Sequence, residues 1–513
     1  MSEAGNPVHV DRYGGAQVRR GLAHFLLGKA MTSIAGIGTF ILLVRVLPLE
    51  EFAAYSILYG LIDLIAAITG VGIVHVMARY VPEVYATNLN QTFRHLITGL
   101  FALRFVVLAG SIAFMYLFSS SLSDAIGLAD WTFAFEAYLW VVLIRTVIFT
   151  LFTLLEQMLL QGIAQFGFSA ITIVRFVVLA ALASNDMLDL MTVIYVEIVT
   201  DLIGSILMAV GLFRRMPAAT TTGNADDSGW IRRNARRMAD FGLKGYVQHM
   251  LVLPFGGSTD RLIVGSQLAA GQVALFGFGQ WILDLMARYL PAQLLQGMIR
   301  PVLTARYARN GQFGDVVILT NLLLKINFAL LAAFMVMIHA GGGAILSLIS
   351  KDKFGDQALN LLYLMTVIMA LASWRNVLDI ATSTVEQNGP LIYAHTVLIL
   401  SVIPGVLALP WLGIYALPVS HVFGLIAASF LLMHRLGKAG FHYRMNWSSL
   451  GSITAITVLT MVLTEWMRPY LIWPWLIGVS LTILTALLLL SRPLAADERD
   501  AIAEILHQQE SKA

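Results

Sequence analysis

The 513-residue chain contains no cysteine. Disulfides, thiolate metal centres and cysteine nucleophiles are therefore excluded. Charge is scarce as well: Asp, Glu, Lys and Arg make up 12% of the residues, against about 25% in an ordinary globular chain. That scarcity excludes a soluble enzyme, a disordered regulator and a nucleic-acid-binding domain. There is no GxxxxGK[ST] loop to cradle nucleotide phosphates, so no ATPase site is expected. The eleven His include no HExxH or paired metal spacing, so neither a metal nor another cofactor is expected. The first residues lack the apolar core and small-residue cleavage site of a secretory signal peptide and carry Arg12, Arg19 and Arg20. The first apolar segment is expected to act as its own insertion signal.

What the chain has in excess is apolar sequence, 58% of it. A spanning helix needs about 20 apolar residues, and the runs fall near 21–46, 52–77, 95–118, 133–155, 163–183, 190–213, 241–265, 273–299, 315–338, 357–385, 390–411, 413–434, 449–467 and 471–490. This predicts an all-α polytopic membrane protein of about fourteen transmembrane helices. Trp131, Trp411, Trp447, Trp473 and Trp475 fall where the membrane interfaces are expected. An N-in topology puts twenty loop Lys and Arg on the cytoplasmic side and three, Lys351, Lys353 and Arg468, on the other. The positive-inside rule therefore predicts both termini in the cytoplasm. The longest connection, 214–240, reads as a flexible Thr/Gly/Asp linker followed by a short basic helix lying on anionic lipids, anchored by Trp230 and Ile231.

The chain matches itself at an offset of 221, with Asp63 on Asp284, Arg79 on Arg300 and Arg104 on Lys325. Further along, at an offset of 230, Arg145 falls on Arg375 and Glu156 on Glu386. Six spans per copy is an even number, so both copies insert in one orientation. Such parallel repeats are related by an axis along the membrane normal. The expected organisation is an N-terminal lobe (1–213), the basic linker (214–240), a second six-helix lobe (241–434) and an appended pair of helices with a cytoplasmic tail (435–513).

Charged residues inside the runs carry the functional signal. Counted inward at 1.5 Å per residue, Arg104, Arg145, Arg175, Arg288, Lys325, Asp63 and Asp284 fall near the midplane, with Glu197 and Asp201 nearby. Each would cost about 2.5–3.5 kcal/mol facing lipid, so they must face water or one another. Asp284 with Arg288, and Arg375 with Asp379, are spaced for pairing on one helical face. Glu197 and Asp201 are alike in sign, so each needs a cation from another helix. Arg104, Arg145, Arg175 and Lys325 have no opposite charge within a turn of their own span. Surplus buried cation suits an anionic ligand, and the planar fork of Arg suits phosphate in particular. Arg79 and Arg300, at the cytoplasmic ends of spans two and eight, are spaced to receive a phosphate at the mouth of the path, or simply to anchor the spans.

Four stretches carry a resemblance: GKAMTSIAGIGTFILLVRVLPLEEFAAYSIL at 28–58, GVGIVHVMARYVPE at 70–83, STDRLIVGSQLAAGQVALFGFG at 258–279 and MIRPVLTARYAR at 298–309. The chain resembles the polysaccharide flippases of the multidrug/oligosaccharidyl-lipid/polysaccharide (MOP) exporter superfamily over most of 20–440. The resemblance implies a MATE-like fold of two lobes related by a pseudo-twofold along the membrane normal. It also implies a cationic cavity and a place in the bacterial inner membrane. The substrate would be an undecaprenyl-diphosphate-linked oligosaccharide moved from inner to outer leaflet for polysaccharide biosynthesis, in partnership with polymerase and export machinery. Arg79, Arg104, Arg145, Arg175, Arg288, Arg300, Lys325 and Arg375 would engage the diphosphate. Asp63, Asp284, Glu197 and Asp201 would bind a coupling Na⁺ or H⁺, or hold the Arg side chains in place. The lipid II flippases of the superfamily typically carry an Arg-Asp pair early in span one, where this chain offers Lys29. A cation-coupled multidrug antiporter and a membrane glycosyltransferase or polymerase are the alternatives, the latter on Glu50-Glu51 in the first outward loop.

Overall fold

The computed structural model describes residues 15–86, 89–158, 160–216, 229–291, 303, 307, 311–491 and 498, with side chains from residue 28 onward. Every regular element among them is helical. In chain order they are α1 (Gly15–Val46), α2 (Leu49–Ile68), α3 (Ile73–Ala86), α4 (Asn90–Leu117), α5 (Ser119–Ala125), α6 (Thr132–Gln157), α7 (Gln161–Ala183), α8 (Leu190–Arg215) and α9 (Trp230–Val252). Then follow α10 (Gly257–Gln267), α11 (Ala270–Ala287), α12 (Phe313–Ser350), α13 (Asp356–Thr384), α14 (Asn388–Leu412), α15 (Ala416–Lys438), α16 (Trp447–Met467) and α17 (Trp473–Ser491).

Eleven stretches among the described residues are helices long and apolar enough to cross a membrane. Their distance from the expected fourteen has three local causes. The run at 241–265 is broken between α9 and α10, around Pro254, which supplies no N–H to bond the preceding turn. The run at 273–299 contains the short α11, and much of the remainder lies outside the described residues. The runs at 390–411 and 413–434 form one 50-residue stretch that turns at Gly413, a glycine at φ 53°. Pro404, by contrast, sits inside α14 without ending it. The five interface tryptophans all stand at helix ends: Trp131 before α6, Trp411 closing α14, Trp447 opening α16, Trp473 and Trp475 in the first turn of α17. Large apolar side chains such as Leu117, Trp466 and Leu490 are exposed on the helices. Only lipid covers so much apolar surface, and the chain is a multi-pass membrane protein.

The helices pack as two compact units, one of residues 1–253 with 261–266, the other of 254–260 with 267–513. In the first, α6 packs on α2 and α8, and α7 on α1 and α8. In the second, α13 packs on α11 and α15, and α14 on α15. The two pairing patterns follow the offsets seen in the sequence. The first core is built on Met77, Tyr80, Phe93, Leu154 and Met208. The second is built on Leu324, Val377, Leu378, Leu432 and Leu436. A smaller core, with Val336, Ile453 and Leu484, holds α16 and α17 on α12. α9, expected to open the second half, packs on α3 in the first unit. Its Trp230 and Ile231 turn onto that core, with the Trp230 ring 6.3 Å from Tyr80, so they anchor the helix to protein rather than to lipid.

The second apolar run is two helices, not one. α2 stops at Ile68 and α3 starts at Ile73, with Val71 at φ 41° and Gly72 at φ 73° between them. Gly72 is required twice over: its conformation is left-handed, and a Cβ there would lie 2.1 Å from the carbonyl oxygen of Gly242 on α9. Backbone on both sides leaves nothing to give. Gly72→Ala is expected to cost at least about 2 kcal/mol, read as a fall in detergent unfolding temperature; an unchanged melt would show that the break relaxes freely.

Two carboxylates cap α8. Asp189 accepts the N–H of Thr192 at 2.7 Å, and Glu51 accepts the N–H of Leu190 at 2.7 Å. Negative charge at a helix N-terminus satisfies free N–H groups and meets the positive end of the helix dipole. This gives Glu51 a structural task. Hydrogen bonding by Thr192 holds the Asp189 carboxyl below the usual carboxylate range. Asp189→Ala is expected to cost about 1 kcal/mol at neutral pH. Because the folded-state value is depressed, that difference is full above the unfolded value of about 3.9 and disappears as pH falls through the folded one. Unfolding of both proteins across acid pH checks it; a difference that persists in acid would contradict it.

Candidate functional site

Three neighbouring helices of the first unit converge on four charges. Glu197 and Asp201 lie one turn apart on α8 and so share a face. Opposite them stand Arg145 from α6 and Arg175 from α7. Arg145 Nε donates to Asp201 Oδ2 at 2.9 Å, and its Nη2 lies 2.8 Å from the same oxygen and 3.3 Å from Glu197 Oε1. Arg175 Nη2 donates to Asp201 Oδ1, its Nη1 lies 3.6 Å from Glu197 Oε1, and its Nε donates to Thr200 Oγ1 at 3.1 Å. The Tyr55 hydroxyl, from α2, donates to Glu197 Oε1 at 2.9 Å. Arg145 is 7% exposed and each carboxylate 2%. The cluster sets two guanidinium groups against two carboxylates. Its two carboxylates take their cations from other helices, as their like sign demands.

Arg104 on α4 is solved differently. It is 5% exposed, and no carboxylate among the described residues pairs with it. Its Nη2 donates to the Ala66 carbonyl at 3.3 Å, in the last turn of α2, where a cation meets the negative end of the helix dipole. Its Nε and Nη1 are buried without an acceptor among the described residues.

In the second unit Arg375, 3% exposed, pairs with Asp379 one turn on. His395 Nε2 lies 3.9 Å from the other Asp379 oxygen. Nε and Nη2 of Arg375 are again buried without an acceptor among the described residues. Lys325 Nζ donates to Glu498 Oε2 at 2.7 Å. Lys325 does not sit at mid-helix depth relative to its neighbours. Four and five residues before it, Asn321 and Thr320 bond to the Arg444 carbonyl and to Tyr443, just ahead of α16. One turn after it, Phe328 packs against the same small core as Leu488, which lies in the last turn of α17. Lys325 therefore lies level with the ends of the appended helix pair.

The remaining predicted residues spread out. Arg288 is the exposed C-cap of α11, and Gln280 donates to Asp284 at 3.2 Å. Asp63 lies on an exposed face of α2. Arg79 is half-exposed, pairs with Glu83 at 3.1 Å and stands over the Tyr80 ring with Arg237. Arg300 lies outside the described residues.

Sequence reasoning passed over a second buried group. Asp260 on α10 lies 3.5 Å from His421 on α15, and Phe255 stacks on that imidazole at 4.2 Å. The next residue, Arg261, is 3% exposed and stands over the Tyr59 ring at 5.3 Å. Their signal was the Pro254 break, which turns the end of an expected span into a new helix carrying two charges.

No protein-family model matches the chain, and no curated protein sequence does. Solved structures do. The lipid II flippase MurJ, in an inward closed conformation, superposes with a TM-score of 0.66 at 12% identity, covering 93% of this chain and 99% of its own. An inward-facing multidrug resistance MATE transporter of the MOP superfamily gives 0.59 at 13%, covering 80% and 95%. The MATE multidrug transporter DinF-BH gives 0.54 at 13%, covering 85% and 99%. At such identities the likeness is one of fold, and it extends over most of each chain: this protein shares the all-helical membrane fold of these structures.

Proposed function

We propose that the protein is a flippase that carries an undecaprenyl-diphosphate-linked oligosaccharide from the inner to the outer leaflet of the bacterial cytoplasmic membrane by alternating access. No bond is made or broken in this reading. The observation that carries it is the unmet donor capacity of Arg104 and Arg375, one in each unit, each with two buried guanidinium nitrogens lacking an acceptor. Burying such groups unpaired costs free energy, and a diphosphate offers the acceptors they lack. The likeness to a lipid II flippase supports a lipid-linked cargo.

Arg104 and Arg375 each act as a phosphate receptor within their own unit in this scheme. Arg145 and Arg175 form a reserve held by Glu197 and Asp201, and protonation or Na⁺ binding at those carboxylates releases guanidinium groups to phosphate. A membrane potential, worth about 2.3 kcal/mol per charge per 100 mV, biases the exchange. With both termini in the cytoplasm, Arg79 and Arg300 stand at the inner entrance, Arg288, Asp63 and Asp284 act along the path, and the basic face of α9 meets anionic lipid. Polymerase and export machinery take the product. Replacing Arg375 with Ala is expected to abolish surface polysaccharide at normal protein level, and Arg375→Lys to retain part of it; equal loss in both would argue for packing alone. A multidrug antiporter is the second reading, favoured by the likeness to DinF-BH. Loss of cationic-dye efflux in Arg375→Ala, with polysaccharide intact, would support it.

A further inference from the structure

Arg375, Asp379 and His395 form a group within the second unit. Arg375 and Asp379 lie one turn apart on α13, and His395 comes from α14. Arg375 Nη1 donates to Asp379 Oδ1. The other oxygen, Oδ2, lies 3.9 Å from His395 Nε2, within ion-pair reach but too long for a hydrogen bond. One carboxylate is thus set between a group that is always charged and a group that is charged only when protonated. The side chains are 4% exposed for Arg375, 17% for His395 and 29% for Asp379. So open a carboxylate inside a spanning helix faces water rather than lipid, and water brings protons to it. Among the described residues, Arg375 and Asp379 are the charged groups that face the imidazole. α15, also packed on α14, turns Arg435 onto the Tyr393 ring at 4.4 Å and His421 toward Asp260 at 3.5 Å, and its His434 and Lys438 are exposed. Tyr415, in the turn after α14, donates to the Gln357 carbonyl at 3.3 Å.

We propose that His395 is a proton-binding site loaded together with the anion: a proton on its imidazole draws Asp379 from Arg375, and the freed guanidinium takes a phosphate. The inference rests on the anion-carrier reading above and adds a co-ion to it, at a residue other than the carboxylates named there. With the imidazole neutral, Asp379 answers Arg375 alone and competes with an incoming anion. Protonation gives that carboxylate a second cation and divides its hold. Nε and Nη2 of Arg375, buried without an acceptor among the described residues, are then donors in waiting for phosphate oxygens. The influence is mutual. Arg375 lies within Coulomb reach of the imidazole and repels a proton there, and an anion on the guanidinium removes that repulsion. By linkage, proton and anion tighten each other's binding by the same factor. The loaded site is also one charge closer to neutral, which lowers the cost of holding a diphosphate away from bulk water.

The test is isothermal titration calorimetry of the symmetrical dimethyl ester of diphosphate with the full-length chain in lipid nanodiscs. Titrations in two buffers of different ionisation enthalpy count the protons taken up on binding. The ester keeps its charge over about pH 5–8, the range in which His titrates. Wild type is expected to take up at least about half a proton per ligand at about pH 6.5, and to bind about fourfold more tightly at about pH 6 than at about pH 7.5. His395→Gln is expected to lose both the uptake and the pH dependence. Asp379→Asn, which leaves Arg375 unheld, is expected to bind at about pH 7.5 as tightly as wild type does at about pH 6, and it supplies the measurement should His395→Gln fail to fold. Binding without proton uptake in wild type, or uptake undiminished in both variants, overturns the proton site; the anion-carrier reading then stands if Arg375→Gln weakens binding. If the ester binds to none of these proteins, that reading falls and this inference with it.

Discussion

Arg104→Met is expected to reduce surface polysaccharide at least about a hundredfold, some 2.7 kcal/mol in barrier terms, without lowering the stability of the fold. The expectation comes from comparing what this guanidinium costs with what it gains. Taking an ion out of water costs several kcal/mol even after relaxation. Against that stand one bond to the Ala66 carbonyl at 3.3 Å and the dipole end of α2, which a cation feels by about 0.3–1 kcal/mol, or near 2 in the best buried geometry. The residue is a net burden on the fold, so methionine of similar length leaves stability equal or raised. Its presence then requires a reason outside folding, and a ligand phosphate provides one. Thermal unfolding of purified protein and polysaccharide measured in the same strain separate the outcomes. A destabilised variant that still exports would reduce Arg104 to a helix cap.

Asp201→Ala is the change expected to damage the fold most, by about 3–5 kcal/mol. Its carboxylate touches both guanidinium groups of the first-unit cluster, and without it Arg145 and Arg175 share Glu197 alone. One uncompensated charge would then remain where Glu197 is 2% exposed. Charge balance supplies an internal control. Arg175→Met in the Asp201→Ala background leaves one cation facing one carboxylate, and more than half of the lost stability is expected to return. Unfolding measured for the two single variants and the double completes the cycle. Strictly additive losses would show that the four groups do not act as a unit.

Most of the helices were legible from apolar run lengths alone, because a lipid-spanning segment must be long and apolar whatever its neighbours do. The breaks were harder. Thr69-Gly70-Val71-Gly72 reads as part of a continuous run, yet Gly72 lies at φ 73° because Gly242 approaches it from α9, 170 positions along the chain. Pro254 breaks its run and Pro404 does not, a difference the residue type alone does not reveal. Site partners divide in the same way. The spacing of Glu197 and Asp201 showed that outside cations were needed, because two like charges share that face. Which cations answered depended on how α6 and α7 rotate against α8. Arg375 with Asp379 was legible, being one turn apart. Lys325 with Glu498 was not, for nothing in an apolar pattern ties a tail residue to a distant helix.

The most direct measurement is the affinity of an undecaprenyl-diphosphate glycan for the full-length protein in nanodiscs, by native mass spectrometry, in wild type and in Arg104→Met combined with Arg375→Met. Binding at least about a hundredfold weaker in the double variant, a loss near 2.7 kcal/mol, is the predicted result. Undiminished binding in a double variant that folds normally would contradict the claim that the buried guanidinium groups of each unit receive phosphate.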